Sequence, residues 1–231
     1  MKKRMRAVAM LLAAAMVISS CGGGGGETSQ GGQNATAGNP SVETPESSSK
    51  DTLIIANTSG EPGNIHPYNT VSVGAGICQQ MVFNGLVTLD SAGEVQPALA
   101  ESWDVEEDQI TFHLRDGVTF HNGDPLTTDD VIFSIQEMAL NSTGGRATNY
   151  TACDVENITA PDDKTIVVPM KEPNASQLSY FAELWIVNKK AYQEMGDDYQ
   201  YDPVGTGPFQ LSDWTVVDMM TFERYDGYWV G

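Results

Sequence analysis

The chain has 231 residues, of which 31 are acidic and 12 basic, and its formal net charge is −19 at pH 7. Proteins bind nucleic acids largely through Lys and Arg side chains that neutralise phosphates, and basic segments dock on anionic lipids by the same attraction. The charge balance excludes both modes of binding. It favours either cationic and zwitterionic solutes or simply an acidic, soluble surface.

The N-terminus has the parts of a secretory lipoprotein signal. Basic residues at positions 2–4 and 6 precede the apolar segment 7–18, which is too short to span a bilayer, and small residues then lead into Cys21. The pattern predicts a signal peptide over 1–20 and lipidation of Cys21. An ordinary signal peptide with an incidental Cys, or an uncleaved anchor, are the alternatives.

Residues 21–50 predict a flexible tether that starts at the lipidated Cys21. Five glycines follow Cys21 directly, and the rest of the segment is almost entirely polar. Such a composition cannot bury enough apolar surface to fold. Several acyl chains on one Cys anchor a protein stably, so we expect a lipid-anchored protein on the extracytoplasmic face of the cell membrane. The length of the tether favours a Gram-positive surface over a Gram-negative periplasm.

The segment that follows the tether is expected to fold as strand, loop, helix and strand. Thr52–Asn57 is apolar and predicts a buried strand, and Gly and Pro residues punctuate a loop over 59–69. Residues Gly76–Asn84 have apolar side chains at helical spacing, and Gly85–Leu89 predicts a further strand. That strand ends at a turn over Asp90–Gly93.

Residues 110–115 alternate strictly between apolar and polar side chains. This period of two is typical of a strand with one buried face. Asp116-Gly117 has the composition of a turn, and Val118–Phe120 is expected to return as a second short strand. The sequence therefore predicts a hairpin here.

A turn and a capped helix are predicted next. Asn122–Pro125 forms the turn, and either Thr127 or Thr128 can cap the helix, because a hydroxyl accepts a bond from a free backbone N–H. Asp129 and Asp130 would then lie in the first turn, where the helix dipole favours negative charge. The buried face is expected to consist of Val131, Ile135 and Met138.

The rest of the chain predicts two hairpins and two helices. The first hairpin joins Asp154–Thr159 to Thr165–Met170, and the second joins Phe209–Trp214 to Asp218–Arg224. The other predicted elements are a short helix, a strand candidate and a helix that stops at Gly196: Ala175–Phe181, Glu183–Val187 and Lys189–Met195. Mixed strands and helices without regular alternation indicate an α/β fold of the mixed α+β kind.

Cysteines and histidines give no sign of a metal or cofactor site. Cys78 and Cys153, the cysteines after Cys21, can form a disulfide or, more simply, be buried separately. His113 and His121 have no Cys or carboxylate cluster at metal-site spacing around them. We therefore predict no metal ion and no cofactor.

Seven motifs follow one another between Thr52 and Gly231. They are TLIIAN with the HPY that follows it, VFNGLVTLD, PALAESW, FHLRDGVTFHNGDPLTTDDVIFS, TIVVPMKEPNA, PVGTGPFQLSDW and ERYDGYW. In this order they resemble the extracytoplasmic solute-binding proteins of family 5, the binding lipoproteins of peptide and nickel ABC importers. Family members have Asp-Pro-His where this chain has His66-Pro67-Tyr68, so His66 takes the place of an acid.

The resemblance implies a periplasmic-binding-protein-like class II fold, in which two lobes close around a ligand like a hinged clamp. On that pattern residues 51–81 and 184–231 belong to the first lobe, and residues 82–183 form an inserted accessory subdomain. Family members begin the second lobe after the Tyr228-Trp229 motif, where this sequence stops. The chain is therefore expected to be a fragment that lacks the second lobe.

The resemblance also implies a ligand-binding segment. In the family the loop after the Asp-Pro-His motif faces the ligand, which places Thr70, Val71, Ser72 and Val73 of this chain at the site. Backbone groups there can pair with a peptide main chain. An ordinary surface loop is the alternative.

Five further residues that could approach a ligand have a simpler structural explanation. Thr206 and Gly207 lie on a Gly-rich turn, whose geometry explains them. Trp185, Tyr225 and Tyr228 could stack on a ligand, but aromatic residues more often fill the core.

The leading hypothesis is a solute-binding component of an ABC importer that is not an enzyme. It would bind an oligopeptide or dipeptide as a monomer and deliver it to the membrane permease subunits, with nickel complexes or sugars as alternative ligands. A hydrolase would need a nucleophile elbow or paired carboxylates in a cleft, and the sequence has no Gly-x-Ser-x-Gly. The alternative function is a degenerate surface lipoprotein that interacts with a partner and has no role in transport.

Overall fold

The computed structural model describes residues 52–56, 62–70, 72–215 and 218–230. The predicted signal peptide, the tether with Cys21, and Val71 lie outside these ranges. The α-helices are α1 (Val73–Val82), α2 (Thr128–Gln136), α3 (Gln177–Tyr180) and α4 (Lys189–Met195). The strands are β1 (Val87–Leu89), β2 (Val95–Pro97), β3 (Ala100–Val105), β4 (Gln109–Leu114), β5 (Thr165–Pro169), β6 (Phe209–Thr215) and β7 (Met219–Arg224).

Shorter helical segments complete the described secondary structure. A π-helical turn, Glu137–Asn141, continues α2. The 3-10 helices are Arg146–Tyr150, Val155–Asn157 and Gly196–Gln200.

The strands form three small antiparallel sheets with the orders β1-β2, β3-β4-β5 and β6-β7. In the central strand, β4, the predicted alternation is confirmed: Ile110, Phe112 and Leu114 are buried, and the residues between them are partly exposed. Phe112 lies opposite Trp103 of β3 and Ile166 of β5. One face of this sheet therefore belongs to the core.

Helix α2 confirms the predicted cap. The Thr127 side chain accepts from the Asp130 backbone N–H at 3.3 Å, and Asp130 Oδ2 accepts from the Thr127 N–H at 3.0 Å. This reciprocal capping box stabilises a helix start by about 1 kcal/mol. Val131 and Ile135 are fully buried, as is Met138 in the π-helical turn, so the predicted apolar face is also confirmed.

Three other predictions agree with the structure. Helix α4 has the predicted bounds and ends at Gly196, whose φ is +56°. Strands β6 and β7 form the predicted second hairpin. Helix α1 is present but begins at Val73, three residues earlier than predicted, because Ser72 caps it by accepting from the Ala75 N–H at 3.1 Å.

One predicted hairpin is wrong, and another forms only in part. Strand β4 pairs with β3 and β5, and Val118–Phe120 contributes only one isolated bridge, between Thr119 and Pro125. The segment 154–159 folds as a 3-10 turn and makes a single bridge, between Thr159 and Val167. In the first segment local bonds from Phe120 N–H to the Asp124 carbonyl and from Leu126 N–H to the Val118 carbonyl take the place of a ladder. The second segment bonds to β5 only at its two ends, Asp154 and Thr159.

Two predicted strands do not form in the described residues. Residues 52–56 are not in a sheet, and Ile54 is 71% exposed. Residues 184–187 are buried but form no strand; Ile186 N–H donates to the Asn84 carbonyl and Val187 N–H to Ser134 Oγ. An apolar run becomes a strand only when a neighbour offers a row of donors and acceptors.

The described residues from Ile54 onward belong to one compact unit with a continuous core. The rings of Phe112 and Phe181 meet edge to face at 4.9 Å, which joins β4 to the C-terminal side of α3. None of the helices in the described ranges is long and apolar enough to cross a membrane.

Candidate functional site

The predicted ligand-binding residues that the structure describes lie together at the start of α1. Thr70 is half-buried, Ser72 is exposed and caps the helix, and Val73 is the first helical residue, with 68% of its surface exposed. Val71 lies outside the described residues. The predicted segment is therefore at the surface, as a ligand-binding segment requires.

One face of α1 is apolar and open to solvent. Val73 and Ile77 are one helical turn apart and both exposed. Ala75 and Val82 lie on the opposite face and are fully buried. Helix α1 is thus held in the core by its buried face, while the side chains of Val73 and Ile77 on the opposite face can contact a ligand.

A tight turn over residues 66–69 fixes the approach to this segment. Nδ1 of His66 accepts from the backbone N–H groups of Tyr68 at 3.1 Å and of Asn69 at 3.2 Å. The His66 N–H in turn donates to Asn64 Oδ1 at 3.1 Å. The imidazole therefore organises the backbone that leads directly into Thr70.

Long-range hydrogen bonds hold the same turn against the rest of the fold. Ser142 Oγ donates to the Tyr68 carbonyl at 2.8 Å, and the Thr143 N–H donates to Asn69 Oδ1 at 2.9 Å. The buried Tyr68 hydroxyl donates to the Trp185 carbonyl at 2.9 Å. The turn therefore joins three parts of the chain. No local sequence pattern predicts these pairings, because the partners are 74 to 117 residues apart.

Burial lowers the pKa of the His66 imidazole below its ordinary value of 6.5, while the carboxylates of Glu137 and Asp197 act in the opposite direction. The Tyr192 hydroxyl lies 3.3 Å from His66 Nε2 and donates to Glu137 Oε1 at 3.2 Å. Burial, followed by the charge of Glu137, raises the pKa of Tyr192 well above its usual value. The lowered pKa of His66 and the raised pKa of Tyr192 both favour the neutral form of these side chains at neutral pH.

Four of the five other candidate residues from the sequence are buried or make structural hydrogen bonds. Trp185 is buried, and its Nε1–H donates to Gln79 Oε1 at 3.2 Å. Thr206 is fully buried, and a Cβ on Gly207 would meet the main chain of Val82. The Tyr225 hydroxyl binds Thr119 Oγ1 and the Phe120 carbonyl, at 2.7 and 2.8 Å.

The fifth candidate, Tyr228, borders a cleft of about 570 Å³ that lies away from the start of α1. Its lining residues are Asn84, Thr88, Pro97, Ala98, Arg115, Tyr228, Trp229 and Val230. The Arg115 guanidinium lies 4.9 Å from the centre of the Trp229 ring, and its Nε–H donates to the Ala98 carbonyl at 3.1 Å. Arg115 thus fastens the Trp229 ring to the β2–β3 connection, a role that sequence analysis missed because the two residues are far apart in the chain.

Cysteines and histidines have structural partners. Cys78 and Cys153 are free thiols, and each Sγ lies near a methionine sulfur, Cys78 near Met220 at 3.7 Å and Cys153 near Met170 at 3.8 Å. Exposed His113 lies 3.3 Å from Asp104. Among the residues the structure describes, no three His, Cys, Asp or Glu side chains could hold a metal ion.

The fold is that of a periplasmic binding protein. The crystal structure of OppA from Haemophilus influenzae in complex with RPPGFSPFR matches with a TM-score of 0.67 and 28% identity, over 75% of this chain and 38% of that one. The chain belongs to the bacterial extracellular solute-binding proteins, family 5, because the model of that family's middle region matches residues 94–231. The family and fold class predicted from the sequence are both confirmed.

Two curated relatives give the same assignment. The periplasmic oligopeptide-binding protein OppA of H. influenzae is 29% identical over 76% of this chain, and the dipeptide-binding protein DppE of Bacillus subtilis is 28% identical over 85%. The chain spans 37% and 40% of the length of these relatives.

Proposed function

We propose that this chain contributes to the solute-binding component of an ABC importer, without catalysing a reaction, and that its ligand is an oligopeptide or a dipeptide. The observation that supports this most directly is the similarity to the OppA complex with RPPGFSPFR, which covers 75% of the chain. Relatives named as oligopeptide- and dipeptide-binding proteins point to the same ligand class.

The ligand would bind along residues 70–73 and the start of α1. Within the described part of the chain, Thr70 makes no hydrogen bond to another residue, so its backbone groups are available to a peptide main chain. The N–H groups of Val73 and Gly74 precede the first intrahelical bonds of α1 and have no helical acceptor. Val73 and Ile77 would contact an apolar side chain of the ligand.

Only part of a binding cleft is expected from a chain of this length. It spans 37–40% of its relatives, and a ligand held against one wall keeps much of its surface in water. We therefore propose that residues 51–81 and 184–231 form one lobe with the accessory subdomain 82–183, and that these 231 residues by themselves bind a peptide weakly, with a Kd of about 1 mM.

The experiment is an NMR titration of the full 231-residue chain with RPPGFSPFR, with Cys21→Ser to prevent lipidation. We expect saturable shifts of the Thr70, Ser72 and Val73 amides at peptide concentrations up to about 10 mM. Val73→Asp should weaken them about tenfold, because a charge replaces an apolar contact. The matched control is Val105→Asp, since Val105 is also a highly exposed valine but lies on β3.

Two outcomes of this titration contradict the proposal. One is the absence of saturable shifts with RPPGFSPFR and with a dipeptide such as Ala-Ala. The other is equal weakening by Val73→Asp and Val105→Asp. Parallel titrations with nickel–histidine and with a sugar separate peptides from the alternative ligands.

We further propose that the chain is a monomer anchored to the extracytoplasmic face of the membrane through Cys21, where it meets the permease subunits. The support is the signal sequence that ends at Cys21. Labelling of cells with a palmitate analogue should mark the wild-type chain and not Cys21→Ser. Equal labelling of both would contradict the lipid anchor.

A further inference from the structure

The turn over residues 66–69 depends on a titratable acceptor. Both backbone N–H groups that close it, those of Tyr68 and Asn69, donate to the same atom, His66 Nδ1. An imidazole nitrogen accepts a hydrogen bond only when it carries no proton. The turn therefore requires His66 in its neutral form with the proton on Nε2.

The surroundings of Nε2 match that tautomer. The Nε2–H can donate to the Tyr192 hydroxyl at 3.3 Å, and that hydroxyl donates a hydrogen bond to Glu137 Oε1 at 3.2 Å. Asn69 Nδ2 also lies 3.3 Å from Nε2 but is itself a donor, so it forms no bond with the protonated nitrogen. One tautomer satisfies both the turn and the Tyr192 contact.

Few charged groups face the imidazole. Glu137 of the π-helical turn and Asp197 of the 3-10 helix after α4 favour its protonation, and burial opposes it more strongly. The rings of Tyr68 and Tyr192 stand edge-on to it at 6.1 and 5.9 Å, and burial keeps both hydroxyls protonated. Burial therefore moves the pKa of His66 below its ordinary value of 6.5, and the ring gains its second proton only on acidification.

Protonation would place a third donor against the two that close the turn. The N–H on Nδ1 would face the N–H groups of Tyr68 and Asn69, and both hydrogen bonds would be lost. The outer contacts of the turn, from Gln79 Nε2 to the His66 carbonyl and from the Ile65 N–H to the Gln200 carbonyl, involve no atom that titrates. Opening would therefore be confined to residues 66–69 and the segment that follows.

We propose that His66 is a positioning residue: its neutral ring fixes the turn that presents Thr70, Ser72 and Val73, and acidification releases that segment. The consequence for ligand affinity depends on the proposed function, whereas the effect on the turn does not. An Asp at this position would accept both N–H groups in the same way and would stay charged at pH 5.

The test is amide hydrogen exchange by NMR on the full chain with Cys21→Ser, at pH 7 and pH 5. After correction for intrinsic exchange, protection of the Tyr68 and Asn69 amides should fall about tenfold in the wild type. His66→Asp should keep the protection at both pH values, and His66→Phe should lack it at both. His113→Asp, which changes an exposed histidine, should behave like the wild type.

The proposal is overturned if wild-type protection does not change while the His66 ring is seen to titrate, or if His66→Asp loses protection at pH 7 with unchanged circular dichroism. Titration with RPPGFSPFR at the two pH values forms a separate arm, in which peptide shifts should weaken in the wild type and stay constant in His66→Asp. Absence of peptide shifts in every variant contradicts the peptide function alone, because the amide protection still decides the role of His66.

Discussion

His66 and His121 have similar chemical surroundings but stabilise the structure over different distances along the chain. Each accepts a backbone N–H at Nδ1, and burial lowers the pKa of each below 6.5. His66 closes a turn with residues two and three positions ahead. His121 binds Gly205 N–H through Nδ1 at 3.3 Å and the Gly207 carbonyl through Nε2 at 3.0 Å, 84 and 86 residues away.

The difference predicts different consequences for the same chemical change. Loss of the His66 bonds is expected to affect one turn, while the Tyr68 side chain within that turn stays in the core and keeps its bond to the Trp185 carbonyl. Loss of the two His121 side-chain bonds leaves only the backbone bond from His121 N–H to the Gly205 carbonyl between the loop before α2 and the Gly-rich turn before β6, so we expect it to lower the stability of the whole unit. A histidine's neighbours along the chain can be read from the sequence, but its distant partners cannot.

The largest expected effect is at the turn that His121 holds. Gly207→Ala should lower the free energy of unfolding by about 3 kcal/mol, because a Cβ would lie 2.7 Å from the Val82 carbonyl oxygen and a backbone atom cannot move aside. Urea denaturation measures this. The matched control is Gly76→Ala in α1, which has open space and should stabilise by about 0.5–1 kcal/mol. If Gly207→Ala lowered the free energy of unfolding by much less than about 3 kcal/mol, the turn would not be packed as described.

The next effect separates the two histidines directly. His121→Phe keeps the ring contact with Tyr225 but leaves Gly205 N–H and the Gly207 carbonyl without their partner, so we expect a loss of about 2 kcal/mol at pH 7. The exposed residue His113 is the control, and His113→Asn should change stability by less than about 0.5 kcal/mol. Similar losses in both variants would contradict the long-range role of His121.

A smaller effect is expected on the pH dependence of stability. Because burial lowers both pKa values in the folded state, the unfolded chain binds protons first as the pH falls below about 6.5. The free energy of unfolding should therefore be constant above pH 7 and decrease from about pH 6.5 downward. Urea denaturation between pH 7.5 and 5.5 tests this, and the slope should be smaller in His121→Phe. A stability that rises on acidification in this range would refute it.

The smallest effect is expected at Tyr192. Tyr192→Phe removes the hydroxyl between His66 and Glu137 but not the two bonds that close the turn, so the loss should be about 0.5–1 kcal/mol. Tyr228→Phe serves as the control at a half-exposed tyrosine. Loss of amide protection at Tyr68 in Tyr192→Phe at pH 7 would mean that the hydroxyl, and not Nδ1 alone, maintains the turn.

Elements whose signals are local could be predicted from the sequence. The alternation in β4, the Thr127 cap of α2 and the stop of α4 at Gly196 depend on residues within one or two turns of each other. The strand predicted at 52–57 and the candidate at 183–187 failed because a strand also needs a partner, which no local pattern supplies.

In the candidate site, too, local features could be predicted from the sequence and contacts between distant residues could not. The resemblance to the family identified residues 70–73 as ligand-binding, and this stays a prediction; of the residues described, Thr70 is half-buried and Ser72 and Val73 are exposed. The side chains that hold this segment in place, Ser142, Thr143 and Tyr192, were missed because they meet it only after folding. The resemblance to the family implied that His66 takes the place of an acid, and in the structure the imidazole accepts two backbone N–H groups at that position.

The buried Cys153 is a built-in probe of local opening in the core. Its side chain is inaccessible, and burial raises the pKa of the thiol to about 12. Alkylating reagents attack the thiolate, so at pH 8 the folded chain should leave Cys153 unmodified. Alkylation of Cys153 would then require the segment beside β5 to open. The rate of alkylation would therefore report how often this part of the core opens.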